Sequence, residues 1–322
     1  MSRALASFLV VCSLMNVAAS QDVKVREEAV RLLEVAHQVS ASPNLPNLER
    51  VDLFRAFGSE ETREGSFRRM LLQGTGERDE YLFGDYHLVN VWKGDQVAIS
   101  GASQIVPPEL SNVLRITPIQ LVFFDGEDVI HSIIARDING HRSRCIEFDT
   151  VRGQRTDNNE ICVAVDTGVL LASRLGPELI ENDDFFSFAG ELIPAKISYT
   201  FAGVKKLEIT QTMTLLNHPP ENLLDAPGGA QMQRPCKTYR RPFGQSMPQP
   251  KTGNGGTSVD VIISAMVDAS GRVHDASVRR SERPDLNDEA LAVAKQWIFT
   301  PSLCEGKPKS EEVEFTLHFQ GR

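Results

Sequence analysis

The side chains that could do chemistry in this chain are few and widely separated. Of its five cysteines, Cys145, Cys162, Cys236 and Cys304 lie beyond the first twenty residues. Four such cysteines allow three pairings. Cys145 and Cys162 flank a polar turn, RGQRTDNNE, between the strand-like runs CIEF and ICVAV. They could face one another across a hairpin, where Cα atoms come within disulfide reach. Cys236 would then pair with Cys304, and chain entropy gives about 3 kcal/mol for the short loop and about 4.4 for the long one. Free buried thiols and a metal site are the rival readings; no Cys-x-x-Cys or His/Cys cluster supports metal.

The other candidates are weaker. The seven histidines are scattered; His131 and His141 flank an expected hairpin, where polar strand faces explain them. Asp183-Asp184 before FFSF offers paired carboxylates, and a solvated loop is the simpler expectation. VDASG opens like a calcium loop but lacks the remaining oxygen ligands and the terminal Glu, so a hairpin turn accounts for it. No Gly-x-Ser-x-Gly elbow, phosphate-cradling glycine loop or Cys/His nucleophile pattern is present. No enzyme, cofactor or metal is expected.

Binding is the remaining class, and composition narrows it. A net charge of −9 excludes the concentrated Lys and Arg that nucleic acid requires and disfavours adsorption to anionic lipid. Arg3 precedes an apolar run from Ala4 to Ala19, closed by Ala18, Ala19 and Ser20. That order is a secretory signal cleaved after Ser20. As helix, the run rises only about 24 Å, short of the roughly 30 Å hydrocarbon core. The expectation is an exported, periplasmic protein, where an even number of cysteines oxidises.

At 322 residues the chain suits two domains. Residues 26–40 place Ala29, Leu32, Leu33, Ala36 and Val39 on one helical stripe. LERVDLFRAFG reads as a weaker helix ending at Gly58, and PPELSNVLRI as a helical insertion. FRRMLLQ, DEYLFGDYHLVNVW, DQVAISG, EDVIHSIIARDI, HRSRCIEFD, ICVAVD, VLLASRLG, AKISYTF and KKLEITQTMTLL read as strands. Asn139-Gly140 and the turn at Gly203 are hairpin signals. An α+β antiparallel meander over 21–217 follows. Residues 218–257 are dense in Pro and Gly and read as a linker, leaving 258–322 as a second domain.

In that last domain SVDVIISAMVD alternates as a half-buried strand, Asp268 to Arg272 turns the chain, and VHDASVRRS returns. Asp285 is the expected cap of a helix on which Leu286, Ala290, Val293, Ala294 and Trp297 recur. EVEFTLHF alternates towards the same core as a final strand. Leu286, Ala290, Trp297 and Phe299 are the expected core of this β-β-α-β unit, with Trp297 at its centre.

Residues about 255–320 resemble the C-terminal domain of the TonB energy-transducer family. The likeness rests on VDASGRVHDASVRRS, LNDEALAVAKQWIFTP with its Gln296-Trp297-Ile298-Phe299-Thr300-Pro301 segment, Gly306-Lys-Pro308 and the alternating strand 312–319. Asn287 departs from it, standing where the family usually has an acidic residue. The resemblance implies a protein partner, such as a segment of an outer-membrane transporter, added as a strand beside the last strand. That edge is Glu312, Val313, Glu314, Phe315, Thr316, Leu317, His318 and Phe319. An energising role further implies a retained membrane anchor and is the second expectation; a purely structural assembly module is the third. Residues about 26–230 more faintly resemble the periplasmic lipoprotein-carrier half-barrel family, through AGELIPAKISYT and ENLLDAPGGA. That resemblance implies a face that binds a lipid or acyl ligand.

Overall fold

The computed structural model describes residues 23–40, 45–58, 61–101, 106–116, 124, 128–152, 155–234, 236–250, 259–281 and 283–319. The signal-peptide expectation for 1–20 lies outside them, as does the linker over 251–257. No helix of the described residues is long and apolar enough to cross a membrane.

Residues 23–40 form helix α1, which buries the expected stripe: Ala29, Leu33 and Ala36 pack with Ile146, Phe148, Ile161, Val163 and Leu170. The Arg144 guanidinium on Glu28 holds that carboxyl below its usual range and fixes the helix start. The segment LERVDLFRAF, expected as a helix, is strand β1 (Leu48–Phe57). Its buried positions are Leu48, Arg50, Asp52, Phe54 and Ala56, a period of two. Two charged side chains on the inward face disguised the alternation.

β2 (Thr62–Leu72), β3 (Gly76–Phe83), β4 (Tyr86–Lys93) and β5 (Gln96–Gly101) follow as hairpins, then helix α2 (Pro108–Ile116). This helix has Pro108 at its start and Glu109 and Arg115 in its first and last turns, the placement that suits the helix dipole. β6 (Asp128–Ile138), β7 (His141–Arg152), β8 (Arg155–Ala164), β9 (Leu170–Leu175), β10 (Glu178–Phe188), β11 (Glu191–Phe201) and β12 (Val204–Leu215) then run as a continuous meander. Asn139 and Gly140 both have positive φ and close the β6–β7 hairpin as a type I′ turn does. Asp183-Asp184, expected in a solvated loop, lie inside β10. Asp184 takes φ 55° and pairs with Lys196 of the neighbouring strand at 3.0 Å, so the acidic pair is a kink in a strand.

The stretch after His218 carries three short strands, β13 (Gln231–Gln233), β14 (Tyr239–Arg240) and β15 (Phe243–Ser246). Then come β16 (Val259–Val267), β17 (Val273–Ser281), a 3-10 turn over Pro284–Leu286, helix α3 (Asn287–Ala294), β18 (Ile298–Thr300), β19 (Ser302–Cys304), β20 (Lys307–Lys309) and β21 (Glu311–Phe319). The helix is shorter than the periodicity implied. Asp285 does not cap it: the carboxylate is taken by Arg283 at 2.6 Å, and neither the turn nor the helix has a side-chain cap.

Two compact units result, 1–73 with 113–217, and 74–112 with 218–322. In the first, the strands run β2-β1-β12-β11-β10-β9-β8-β7-β6. Chain ends meet where β1 pairs β12, Leu48 opposite Leu215 through Ala56 opposite Leu207. At this seam Asp52 is fully buried and accepts from Arg50 Nε at 3.0 Å and from Gln211 Nε2 at 3.1 Å. The guanidinium also lies over the Phe67 ring, 5.5 Å from its centroid. In the second unit the strands β13-β5-β4-β3 form one antiparallel run and β17-β16-β21 another.

A buried ion pair that loses one member leaves an uncompensated charge. Arg50→Met should therefore destabilise the chain by about 3–5 kcal/mol, and Arg50→Met with Asp52→Leu should recover most of it. Urea unfolding followed by circular dichroism measures both; an unshifted midpoint for the single variant removes the pair from any role at the seam.

Candidate functional site

The small sheet is organised by its middle strand. Val259, Val261, Ile263, Ala265 and Val267 are all buried, as are Ser264 and Met266 on the other face. A strand covered on both faces belongs in the centre, and the order is β17-β16-β21. α3 lies on one face through Ala290 and Ala294, both fully buried; their small side chains let the helix approach closely. Leu286 is partly buried against the same cluster. Trp297 follows the helix, stacks on Phe315 at 4.4 Å and tilts against Phe299 at 6.0 Å. Its indole N–H donates to the Pro248 carbonyl at 2.9 Å, so the expected central plug also fastens the segment before the domain.

The β16–β17 turn uses its acidic residue locally. Asp268 Oδ1 accepts from the Ser270 hydroxyl at 2.7 Å and from the amides of Ser270 and Arg272 at 2.8 and 2.9 Å. These donors hold its carboxyl below the ordinary range, the Ser270 hydroxyl contributing most. Gly271 has φ 86°, and a Cβ there would stand 1.9 Å from the Phe299 carbonyl oxygen; only glycine fits.

β21 pairs with β16 in unbroken register, Val259 opposite Phe319 through Val267 opposite Glu311. Among the described residues β16 is its only strand partner. On the helix side Leu317 and Phe319 are buried, while Val313 and Phe315 pack on the core but stay partly open. On the opposite face Ser264 donates to Glu312, Arg279 meets Glu314 at 3.2 Å, and His318 meets Asp260 at 2.7 Å. The eight residues from Glu312 to Phe319 thus share one strand with one face on the core.

The described part of the Pro/Gly-rich stretch pairs elsewhere than along that edge. Cys236 is bonded to Cys304, Tyr239 and Arg240 pair with Cys304 and Leu303, and Phe243 to Ser246 pair with β18. The strap therefore lies on β18 and β19. It meets β21 at the strand's start, where the Tyr239 hydroxyl donates to Glu311 at 2.6 Å. Burial first, then this carboxylate, push the phenol up to about 12.

In the first unit Cys145 and Cys162 sit opposite one another on β7 and β8 and are bonded. Glu160 is close to both sulfurs, but disulfide sulfurs are not available as thiolate ligands. His131 and His141 are not brought together: His131 bonds Asp149 at 2.8 Å in mid-hairpin, and His141 is at the turn opposite Ile138. One face of the sheet carries Phe54, Ile209 and Ile197 in a row, with Ala56, Leu207 and Tyr199 beside it. The buried Arg50, Asp52 and Gln211 next to them were not singled out in the sequence; inward charged residues at i and i+2 of an alternating segment were the available signal.

Residues 252–320 match the family model of the Gram-negative bacterial TonB protein C-terminal. No curated protein matches the chain. Among solved structures, similarity extends to the LolA superfamily protein NE2245 from Nitrosomonas europaea, at 13% identity, 60% of this chain, 96% of that chain and a TM-score of 0.37. It extends to a putative outer membrane lipoprotein-sorting protein domain from Vibrio parahaemolyticus, at 11% identity, 60% and 95% coverage and a TM-score of 0.35. A third is the MucA/MucB complex of Pseudomonas aeruginosa, at 14% identity, 76% and 81% coverage and a TM-score of 0.28.

Because Asp268 is held below the ordinary value near 3.8, its contribution is complete above the unfolded pKa and lost as pH falls through the lowered folded pKa. Asp268→Ala should lower the thermal midpoint at pH 7, and the gap to the unsubstituted chain should close as pH drops below about 4. A gap independent of pH would show that the carboxylate's charge is irrelevant to the turn.

Proposed function

We propose that the chain is a non-catalytic binding or adaptor protein of the Gram-negative periplasm, docking an extended partner segment on the outer edge of β21. The observation that carries this reading is the strap's path. A three-stranded sheet has open edges that must be blocked or used, and among the described residues the preceding segment pairs with β18 and β19 and not with β21. A strand added beside Glu312–Phe319 would gain main-chain hydrogen bonds and, over Val313 and Phe315, an extension of the Trp297 core. A segment of an outer-membrane transporter is the partner that the TonB-type match favours. On this reading residues 1–20 are a cleaved export signal, 21–217 a half-barrel-like binding domain and 258–322 the docking domain.

We further propose an apolar ligand, a lipid or acyl chain, for the sheet of the first unit. Its support is the apolar row through Phe54, Ile209 and Ile197.

A photo-reactive residue at Thr316, in protein expressed in a Gram-negative envelope, identifies the docked segment for synthesis. An antiparallel or parallel ladder uses alternate amides of the added strand. Methylating that set should weaken binding by about a hundredfold, equivalent to about 2.7 kcal/mol, and methylating the intervening set should change little. Equal effects from both sets would rule out strand addition. Native mass spectrometry of protein taken from its own envelope tests the ligand: co-purifying lipid is expected, and protein always at its bare mass would end the carrier reading.

A further inference from the structure

The start of β21 opens onto a groove of the second unit that the strand-addition reading does not use. One wall comes from β4 and β5 through Leu88, Asn90 and Ile99; the other is Met266 of β16 with Glu311 and Glu312 of β21. Met266 and Glu312 stand opposite each other in the register. The lining thus combines apolar Leu88, Ile99 and Met266 with polar Asn90, Ser100, Gln231 and Gln233, and two acidic residues of β21 border it.

Two neutral polar groups near those carboxylates lack partners. Among the described residues the Asn90 Oδ1 is buried with no hydrogen-bond partner, and so is the Tyr86 hydroxyl. Burial first, then the charge of Glu312, push Tyr86 up to about 12, which places that phenol within the carboxylate's field. A buried acceptor without a donor costs free energy that a ligand N–H can recover. Lys309 is the basic residue among those lining the groove, and it is exposed. The Tyr239 hydroxyl serves Glu311 and the Ser264 hydroxyl serves Glu312, and a hydroxyl donor leaves the carboxylate charge in place.

We propose that this groove receives a basic side chain of the strand that adds to β21. The stem of a lysine or arginine lies along Leu88, Ile99 and Met266, and its cationic head meets Glu312 and the Asn90 oxygen. Long basic side chains suit such a site because an apolar stem and a charged tip are buried differently, and a charge-assisted bond to a carboxylate is about twice as strong as a neutral one. The residue concerned is the one across from Glu312 that points away from α3. Of its neighbours in the partner, the one across from Val313 points to the Val313 and Phe315 side and is apolar. The partner segment thus carries at least one basic residue with an apolar residue next to it. This rests on the strand-addition reading and adds to it the chemistry of the partner.

The test uses the full oxidised chain and three end-blocked nine-residue peptides alternating valine with lysine, threonine or glutamate, followed by fluorescence anisotropy. The lysine peptide should bind at least about tenfold tighter than the threonine peptide, which is about 1.4 kcal/mol. Glu312→Gln and Asn90→Leu should each erode that advantage, while Glu221→Gln, an exposed acid away from the groove, should leave it. Near-ultraviolet circular dichroism confirms that the variants stay folded. Lysine and threonine peptides of equal affinity would overturn the basic-site proposal and leave strand addition standing. An advantage lowered as much by Glu221→Gln as by Glu312→Gln would reduce it to attraction by an acidic chain and overturn it as well. A lysine peptide that binds unchanged after methylation of its alternate amides, or no binding by any peptide, would remove the strand-addition reading and the proposal with it.

Discussion

Backbone saturation governs the carboxy-terminal sheet. β16 lies between β17 and β21, in unbroken register with β21 and in a ladder with β17 that shifts register twice. A strand so apolar could sit nowhere else, because at an edge it would expose its amides beside a row of valines. Once β16 takes the centre, β17 and β21 must be edges. The position of Trp297 follows, since the helix that carries the chain back from β17 to β21 can only lie over β16. What a second polypeptide could do here is set by that single placement.

The large sheet solves a different problem. Its strands arrive as two meanders that must be joined, and the join is made by the first strand, β1, and the last, β12. A join of this kind has long sequence separation and no turn to set its register. Asp52 opposite Gln211, with Arg50 on the same face, supplies a polar marker that a one-residue slip would send to the wrong side. The apolar rows beside it add stability but are poor at distinguishing one register from the next.

Much of this was legible in the residues. The β6–β7 hairpin announced itself through Asn139-Gly140, the Cys145–Cys162 bond through its flanking strands, with Cys236–Cys304 as the pairing that remained, and β16 and β21 through strict alternation. What was missed has a physical reason in each case. β1 has Arg50 and Asp52 at inward positions, so its period of two was broken on paper while kept in space. β10 carries Asn182-Asp183-Asp184 in its middle, and acidic residues are rare in strands; a positive φ at Asp184 and pairing with Lys196 accommodate them. The strands in the Pro/Gly-rich stretch have no amphipathic period of their own, because their order comes from β5 for β13 and from β18, β19 and the Cys236–Cys304 bond for β14 and β15. The groove beside Glu312 joins residues from β4, β5, β16 and β21, more than two hundred positions apart at the extremes, and no local pattern could have revealed it.

The bond between Cys236 and Cys304 also changes the route by which tension travels. With it closed, the covalent path from the first unit to the final strand leaves the backbone at residue 236 and rejoins it at 304. Pulling on a captured partner would then load residues 304–319 and the bridge itself, while β16, β17, α3 and the indole between them are spared as bystanders within a locked ring. Opening the bridge would put those same elements in series with the load, so the oxidation state of two sulfurs decides whether the small sheet is a handle or the weakest part of the line.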